Sequence, residues 1–356
     1  MGDSADKIKP EVRALRGYTL SPDRARVKIN QNENPWDAPG RIKTETLRRL
    51  EARKWSRYPD FTPSSLHAHL AEFTGWQAKG IIAGNGSNEL IQAVLMVTVG
   101  AGKRVLICEP TFALYRQITT VLGGEVMSVP LTSDLGYDNE ALQRVVQDLQ
   151  PDVTIVCSPN NPTGCVLDDR EMRVLLESTN GLVVIDEAYH EFAEHSVVPL
   201  LRDHENLVVL RTFSKAMALA ALRVGYLLAA PELVVEVSKA VLPYNLNAVS
   251  QTAAEVAVEM YEDELRPLVQ RIIAERERLF GELDRIAGFT PVRSNANFML
   301  VRSSTNPKKV FAELLKRNIL IRDVSGYPML GDYFRLSVGT PDENDLLLSA
   351  LKEICV

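Results

Sequence analysis

Lys215 stands in Thr212-Phe-Ser214-Lys215, with Arg223 eight residues further on. A lysine amine that condenses with a carbonyl must sit at a fixed point and be able to lose its proton. A turn directly after a buried strand provides the fixed point. The hydroxyls of Thr212 and Ser214 and the guanidinium of Arg223 are donors of the kind a phosphate dianion requires. A second cluster, Gly84-Asn85-Gly86-Ser87-Asn88-Glu89, opens a helical pattern. Gly86 lets the backbone approach a ligand closely, and a helix starting at Ser87 and Asn88 presents free N–H groups to an anion. The spacing is not G-x-G-x-x-G, so a dinucleotide site is disfavoured.

Asp186 closes the apolar run Val183-Val184-Ile185. A carboxylate in such surroundings needs a cationic or hydrogen-bonding partner, and a protonated pyridine nitrogen is one. Asn161, within Ser158-Pro-Asn-Asn-Pro-Thr-Gly164, offers an amide donor for a phenolate oxygen. Each cluster has a plainer reading alone: an exposed lysine, a capped helix, a capping aspartate, a Pro/Asn/Gly turn. Taken together they supply a covalent amine, a phosphate cup, a pyridinium partner and a phenolate donor. Those are the parts of a site for pyridoxal 5'-phosphate (PLP).

Such a site requires strands to carry it. The runs 104–108, 153–157, 182–185, 207–210 and 224–228 are short and rich in β-branched residues, without polar alternation. That pattern predicts strands buried on both faces of a mostly parallel sheet. Helical stretches lie between them at 88–99, 111–122, 139–149 and 169–178, an α/β arrangement. Four of the strands run straight into a polar cluster, and open α/β sheets bind ligands beyond their carboxyl ends. Beyond residue 248 a charged, amphipathic stretch at 250–286, most simply a solvated helix, precedes strand candidates at 297–302, 319–323 and 333–338. Helices are predicted at 307–316 and 342–354. The reading is a large domain over 46–247 and a small α+β domain from 1–45 plus 248–356, the N-terminal segment wrapping onto the latter.

At 46% apolar and 24% charged residues the composition is that of a soluble globular protein. A net charge of −6 and the lack of a dense basic run argue against a nucleic-acid surface. They also argue against a DNA-binding, cofactor-sensing regulator. The four cysteines form no C-x-x-C pair and read as free thiols in a reducing compartment. The polar N-terminus carries no leader pattern and no apolar run reaches membrane length, so a cytoplasmic protein is expected. His67 and His69 are two candidate metal ligands without an evident third, so no metal is expected. Cys157 and Cys165 read as core filler.

The sequence also resembles the fold-type I PLP enzymes of the aspartate aminotransferase superfamily, over nearly its whole length. Asn32-Glu-Asn-Pro35, Tyr58-Pro59, Gly84-Asn-Gly-Ser87, Ser158 to Gly164, Asp186-Glu-Ala-Tyr189, Arg211 to Lys215 and Leu222-Arg223 carry the likeness. So do Pro243 to Asn247, Ile321-Arg-Asp323 and Phe334 to Thr340. Within the superfamily they look like the histidinol-phosphate aminotransferases of histidine biosynthesis. The resemblance implies a seven-stranded, mostly parallel sheet and catalytic roles for Lys215, Asp186 and Tyr189. It implies a cofactor held by Gly86, Ser87, Asn88, Thr212, Ser214 and Arg223, with Phe112 stacked on its ring and Tyr189 joining Asn161 at the phenolate oxygen. Tyr58 would reach the cofactor phosphate of a neighbouring subunit in a homodimer. Arg322 and Arg335 would hold the acidic end of the substrate, with Tyr18 nearby and Asn34 and Asn161 beside it. The substrates implied are histidinol phosphate and its imidazole acetol phosphate ketone, with glutamate and 2-oxoglutarate. Asn88 departs from the pattern, where an acidic residue is more frequent, and Phe112 stands where Tyr also occurs. An aromatic amino acid aminotransferase or a phosphothreonine decarboxylase would share most of these motifs.

Overall fold

The computed structural model describes residues 4–17 and 22–354, so the expected contribution of Tyr18 lies outside the described residues. Its centre is a seven-stranded sheet. From one edge to the other the strands are Ile81–Gly84, Gly225–Ala229, Leu207–Thr212, Leu182–Asp186, Val153–Cys157, Arg104–Glu109 and Glu125–Pro130. Gly225–Ala229 runs antiparallel to both neighbours, and the remaining pairings are parallel.

All five expected strands are present. Two edge strands, Ile81–Gly84 and Glu125–Pro130, carry no strand signal in the sequence. The first is four residues long and ends inside the glycine cluster, and the second is largely uncovered and closes on a proline. Pleating sends alternate residues to opposite faces. Val183 and Ile185 enter one core with Leu106, Val156 and Val209, while Val184 enters the other with Val105, Ile155 and Val208. Covering both faces with helices explains why the strands read as continuously apolar.

The stretch at 250–286 is not one solvated helix. It is two helices, Ala248–Glu259 and Arg266–Leu283, joined by a single π-helical turn at Tyr261–Leu265. In the first, Ala253, Ala254, Val256 and Ala257 lie in the core of the large sheet together with Ile42, Leu66 and Leu70. Its small side chains allow close approach to the helices Gly40–Glu51 and Ser64–Thr74. That core therefore spans the expected domain boundaries at 46 and 247.

A separate core gathers Val27, Ile29, Leu279, Met299, Val301, Phe334, Leu336, Leu347 and Leu351. It underlies a four-stranded antiparallel sheet in the order Arg322–Asp323, Tyr333–Ser337, Phe298–Ser303, Phe289–Pro291. The N-terminal segment joins this unit through a two-residue parallel pairing of Val27–Lys28 with Ile319–Leu320.

Candidate active site

Register brings the polar clusters together. Cys157 lies opposite Asp186, Asp186 opposite Leu210, and Thr212 opposite Gly225, which is itself opposite Gly84. A cavity of about 460 Å³ opens at these strand ends. Its walls include Ser87, Asn88, Phe112, Asn161, Asp186, Tyr189, Thr212, Ser214, Lys215, Arg223, Arg322 and Arg335. Twelve side chains singled out from the sequence, scattered from position 87 to 335, thus face one space.

One end of the cavity is built for an anion. Arg223 Nη1 donates to Ser214 Oγ at 3.1 Å, and Thr212 Oγ1 donates to the same oxygen at 3.0 Å. The helix Ser87–Thr98 begins here, and Gly86 precedes it at φ 80° without a side-chain cap. A Cβ on Gly86 would lie 2.5 Å from Arg223 Nη2, and one on Gly225 would lie 2.3 Å from the Ser87 nitrogen. Glycine at both points keeps the N–H groups, the hydroxyls and the guanidinium converged, which is an oxyanion cradle.

The opposite end holds Asp186, 3% exposed. Its Oδ2 accepts from the Tyr115 hydroxyl at 2.6 Å and its Oδ1 from the Ala188 N–H at 3.1 Å. Burial pushes the Asp186 carboxyl up, and the Tyr115 bond opposes that shift. Behind it, Glu187 accepts from Arg211 Nε at 2.9 Å in an ion pair with both side chains nearly fully covered. This pair ties the Asp186 strand to the strand that delivers Lys215.

Lys215 Nζ donates to the Gln31 carbonyl at 2.9 Å and stands 6.0 Å from the centre of the Tyr189 ring. Burial first, then the positive charges of Arg335 and Arg223, lower its pKa to about 7, against the pull of Glu33. Desolvation disfavours the ammonium form, so a neutral, nucleophilic amine is accessible near neutral pH. The Tyr189 hydroxyl accepts from Asn32 Nδ2 at 3.1 Å. Arg335 donates to Asn161 Oδ1 at 2.5 Å and to the Asn30 carbonyl at 2.9 Å.

Two expected residues lie elsewhere. Asn34 Nδ2 reaches the carbonyls of Lys215 and Ala216 at 3.4 and 3.3 Å, so it braces the lysine turn from outside the cavity. Tyr58 is 80% exposed and stacks on Tyr244 at 4.5 Å, away from the cavity. His69 Nε2 is 3.0 Å from Glu259, and neither residue lines the cavity. Cys157 reaches the cavity wall, and burial pushes its thiol far up, which suits an inert filler.

The cavity also takes Asn32 and Glu33 of the Asn32-Glu-Asn-Pro35 motif, and Asn30, Gln31 and Tyr115, for which the sequence suggests no role. Tyr115 follows Phe112 by three positions, the spacing that puts two side chains on one helix face, and a buried phenol needs a partner. Asn32 adopts φ 55°, a conformation asparagine tolerates. Only the Phe112–Tyr115 spacing is visible in the sequence.

The residues present fit PLP. A lysine with a depressed pKa, a cradle for a dianion, a buried carboxylate for a ring nitrogen and the rings of Phe112 and Tyr189 line one cavity.

The model of the family described as aminotransferase class I and II matches residues 25–351. The histidinol-phosphate aminotransferase of Chlorobium phaeobacteroides is 38% identical, over 99% of this chain and 98% of its own. That of Chlorobaculum tepidum is also 38% identical, over 98% and 100%. Among solved structures, the histidinol-phosphate aminotransferase of Sinorhizobium meliloti in complex with pyridoxal-5'-phosphate superposes with a TM-score of 0.88. It is 24% identical, covering 98% of this chain and 97% of that one. The Clostridium acetobutylicum enzyme of the same name reaches 0.85 at 24% identity, over 92% and 99%. This chain belongs to the histidinol-phosphate aminotransferase family, within class I and II of the PLP-dependent aminotransferases.

Proposed function

We propose that the chain transfers the amino group between histidinol phosphate and 2-oxoglutarate, with PLP held at Lys215. The observation that carries this reading is the placement of Arg322 and Arg335 on the wall of the cavity that also holds Lys215. Their backbones lie opposite one another in an antiparallel pair. Two guanidiniums so placed match a phosphate monoester in one half-reaction and a dicarboxylate in the other.

The bound cofactor supplies a carbonyl for the substrate amine and a ring that delocalises negative charge. Arg223, Ser214, Thr212 and the first N–H groups of Ser87–Thr98 grip its phosphate. Asp186 would keep the ring nitrogen protonated, Phe112 would offer a face to the ring, and Asn161 and Tyr189 would serve the phenolate oxygen. Lys215 Nζ, whose neutral form is accessible because burial lowers its pKa to about 7, would take the proton from the substrate α-carbon as general base. Asn161 also orients the substrate, through its bond with Arg335. In this scheme the large sheet and its helices, including Ala248–Glu259, carry the cofactor, and the smaller sheet carries the substrate clamp.

Among the described residues no helix is long and apolar enough to cross a membrane, and we place the enzyme in the cytosol with the rest of histidine biosynthesis. Its working form is a homodimer. Trp55, Tyr58, Phe61 and Leu242 are each more than three-fifths exposed, and so large an apolar patch marks a contact surface. A second copy seated there would bring Tyr58 to the partner's phosphate cradle.

Steady-state kinetics test the substrate. Histidinol phosphate is expected to react far better than histidinol or phenylalanine with 2-oxoglutarate as acceptor. Equal turnover of histidinol would remove phosphate reading and favour an aromatic aminotransferase. Carbon dioxide released from phosphothreonine would mark a decarboxylase.

A further inference from the structure

Tyr115 is fully buried, in the first turn of the helix Leu114–Leu122. Its ring meets Phe112 edge-on at 5.6 Å and 85°, so the start of one helix delivers a ring to the cavity wall and a phenol to Asp186. The Tyr115 hydroxyl and the Ala188 N–H place one donor on each oxygen of that carboxylate. A carboxylate oxygen accepts two hydrogen bonds, so each keeps one acceptor position for a group in the cavity.

We propose that Tyr115 is a positioning residue for the reaction: its hydroxyl holds Asp186 in the orientation and the ionised state that the cofactor's ring nitrogen requires. This rests on the reading of the cavity as a PLP site. The chemistry follows from charge. Burial alone favours a neutral Asp186 carboxyl, which would compete for the proton the ring nitrogen needs. A short O–H···O bond to a carboxylate favours the ionised form. The Ala188 N–H makes the same contribution, and the charge of Lys215 adds to it, while Glu187 acts in the opposite direction. Tyr115 thus acts through Asp186 without itself contacting the ring nitrogen. A merely structural Tyr115 would fill the same volume, and phenylalanine would replace it without consequence.

The test is a double-mutant cycle read as the dissociation constant of PLP from the holoenzyme, with Tyr115→Phe made alone and in an Asp186→Ala background. Phenylalanine keeps the packed ring, and circular dichroism with thermal melting checks that each variant is folded. Tyr115→Phe is expected to weaken PLP binding by about fivefold or more in the native background and by less than about twofold beside Asp186→Ala, because coupled residues are non-additive. Turnover should fall in kcat more than KM changes. An equal loss in both backgrounds, or none in the native one, overturns the proposal. Failure of the unmutated protein to bind PLP at all would instead overturn the cofactor reading on which it rests.

Discussion

Arg322 and Arg335 face each other across an antiparallel strand pair, with both side chains on the wall of the Lys215 cavity. Like charges directly opposite in a sheet are destabilising. Arg335 donates to Asn161 Oδ1 and to the Asn30 carbonyl, which fixes its guanidinium beside Asn161 on the cavity wall. Two guanidiniums brought so close match the two oxygens of a phosphate or carboxylate. Replacing either arginine by alanine is expected to lower kcat/KM for histidinol phosphate and for glutamate by about tenfold or more, as loss of a charge-assisted bond of about 1.5–3 kcal/mol implies. Loss for one substrate alone, in both variants, would show that the clamp does not serve both half-reactions.

Lys215 is expected to capture PLP with a rate that rises with pH and levels off above about 7, since only the neutral amine attacks a carbonyl and burial has lowered its pKa to about 7. Stopped-flow absorbance on apoenzyme across neutral pH reads this directly. Borohydride reduction should then fix the cofactor to Lys215, identified by peptide mass. A midpoint near the ordinary lysine value would contradict the desolvated amine.

Asp186→Asn should leave PLP bound through the phosphate cradle and Lys215 while lowering kcat on the order of a hundredfold, because a neutral amide cannot hold the ring-nitrogen proton. Near-native turnover in this variant, with PLP content confirmed by absorbance, would assign the proton to another group.

Arg211→Met tests the buried clamp behind the site. Removing the guanidinium leaves Glu187 covered and without its cation, and breaking such a pair is expected to destabilise the fold by about 3–5 kcal/mol in urea unfolding. Adding Glu187→Gln should return part of that stability. A loss below about 1 kcal/mol, the worth of an exposed pair, would show that the Ser196 hydroxyl and the Val197 N–H suffice to satisfy Glu187.

Light scattering is expected to give twice the chain mass, and Tyr58→Phe to weaken PLP binding without dissociating the dimer. A fully active species of single-chain mass would remove the role assigned to Tyr58.

How much of this could be read from the residues alone follows physical lines. Asp186 stands out because it breaks an apolar run at a strand end, and Thr212, Lys215 and Asn161 because they lie in polar clusters that close or follow such runs, where polarity is conspicuous. Tyr115 did not, because a tyrosine in a helical stretch reads as part of an apolar face until its hydroxyl is seen to meet Asp186. Asn34 was placed beside the substrate, but the turn at Asn32 directs its amide to the lysine backbone instead. Glu125–Pro130 is hard to see because the lack of a second neighbour relaxes the demand for apolar residues, and Ile81–Gly84, though buried throughout, because it is only four residues long and ends in glycine. Ala248–Glu259 was misread because its burial depends on alanines packing against helices nearly two hundred positions earlier, a contact that no local periodicity records.

The bond from Arg335 to the Asn30 carbonyl joins residues 305 positions apart, and the order of synthesis gives that span a further meaning. Chains emerge from the ribosome N-terminus first, and domains fold largely as they appear. The strands carrying Asp186 and Lys215, and the cradle around Arg223, are complete while more than a hundred residues are still to be made. The carbonyl of Asn30 leaves the tunnel early, yet the arginine that bonds it is made 305 residues later. A nascent chain therefore carries every residue of the cofactor cradle before it carries either arginine of the substrate clamp.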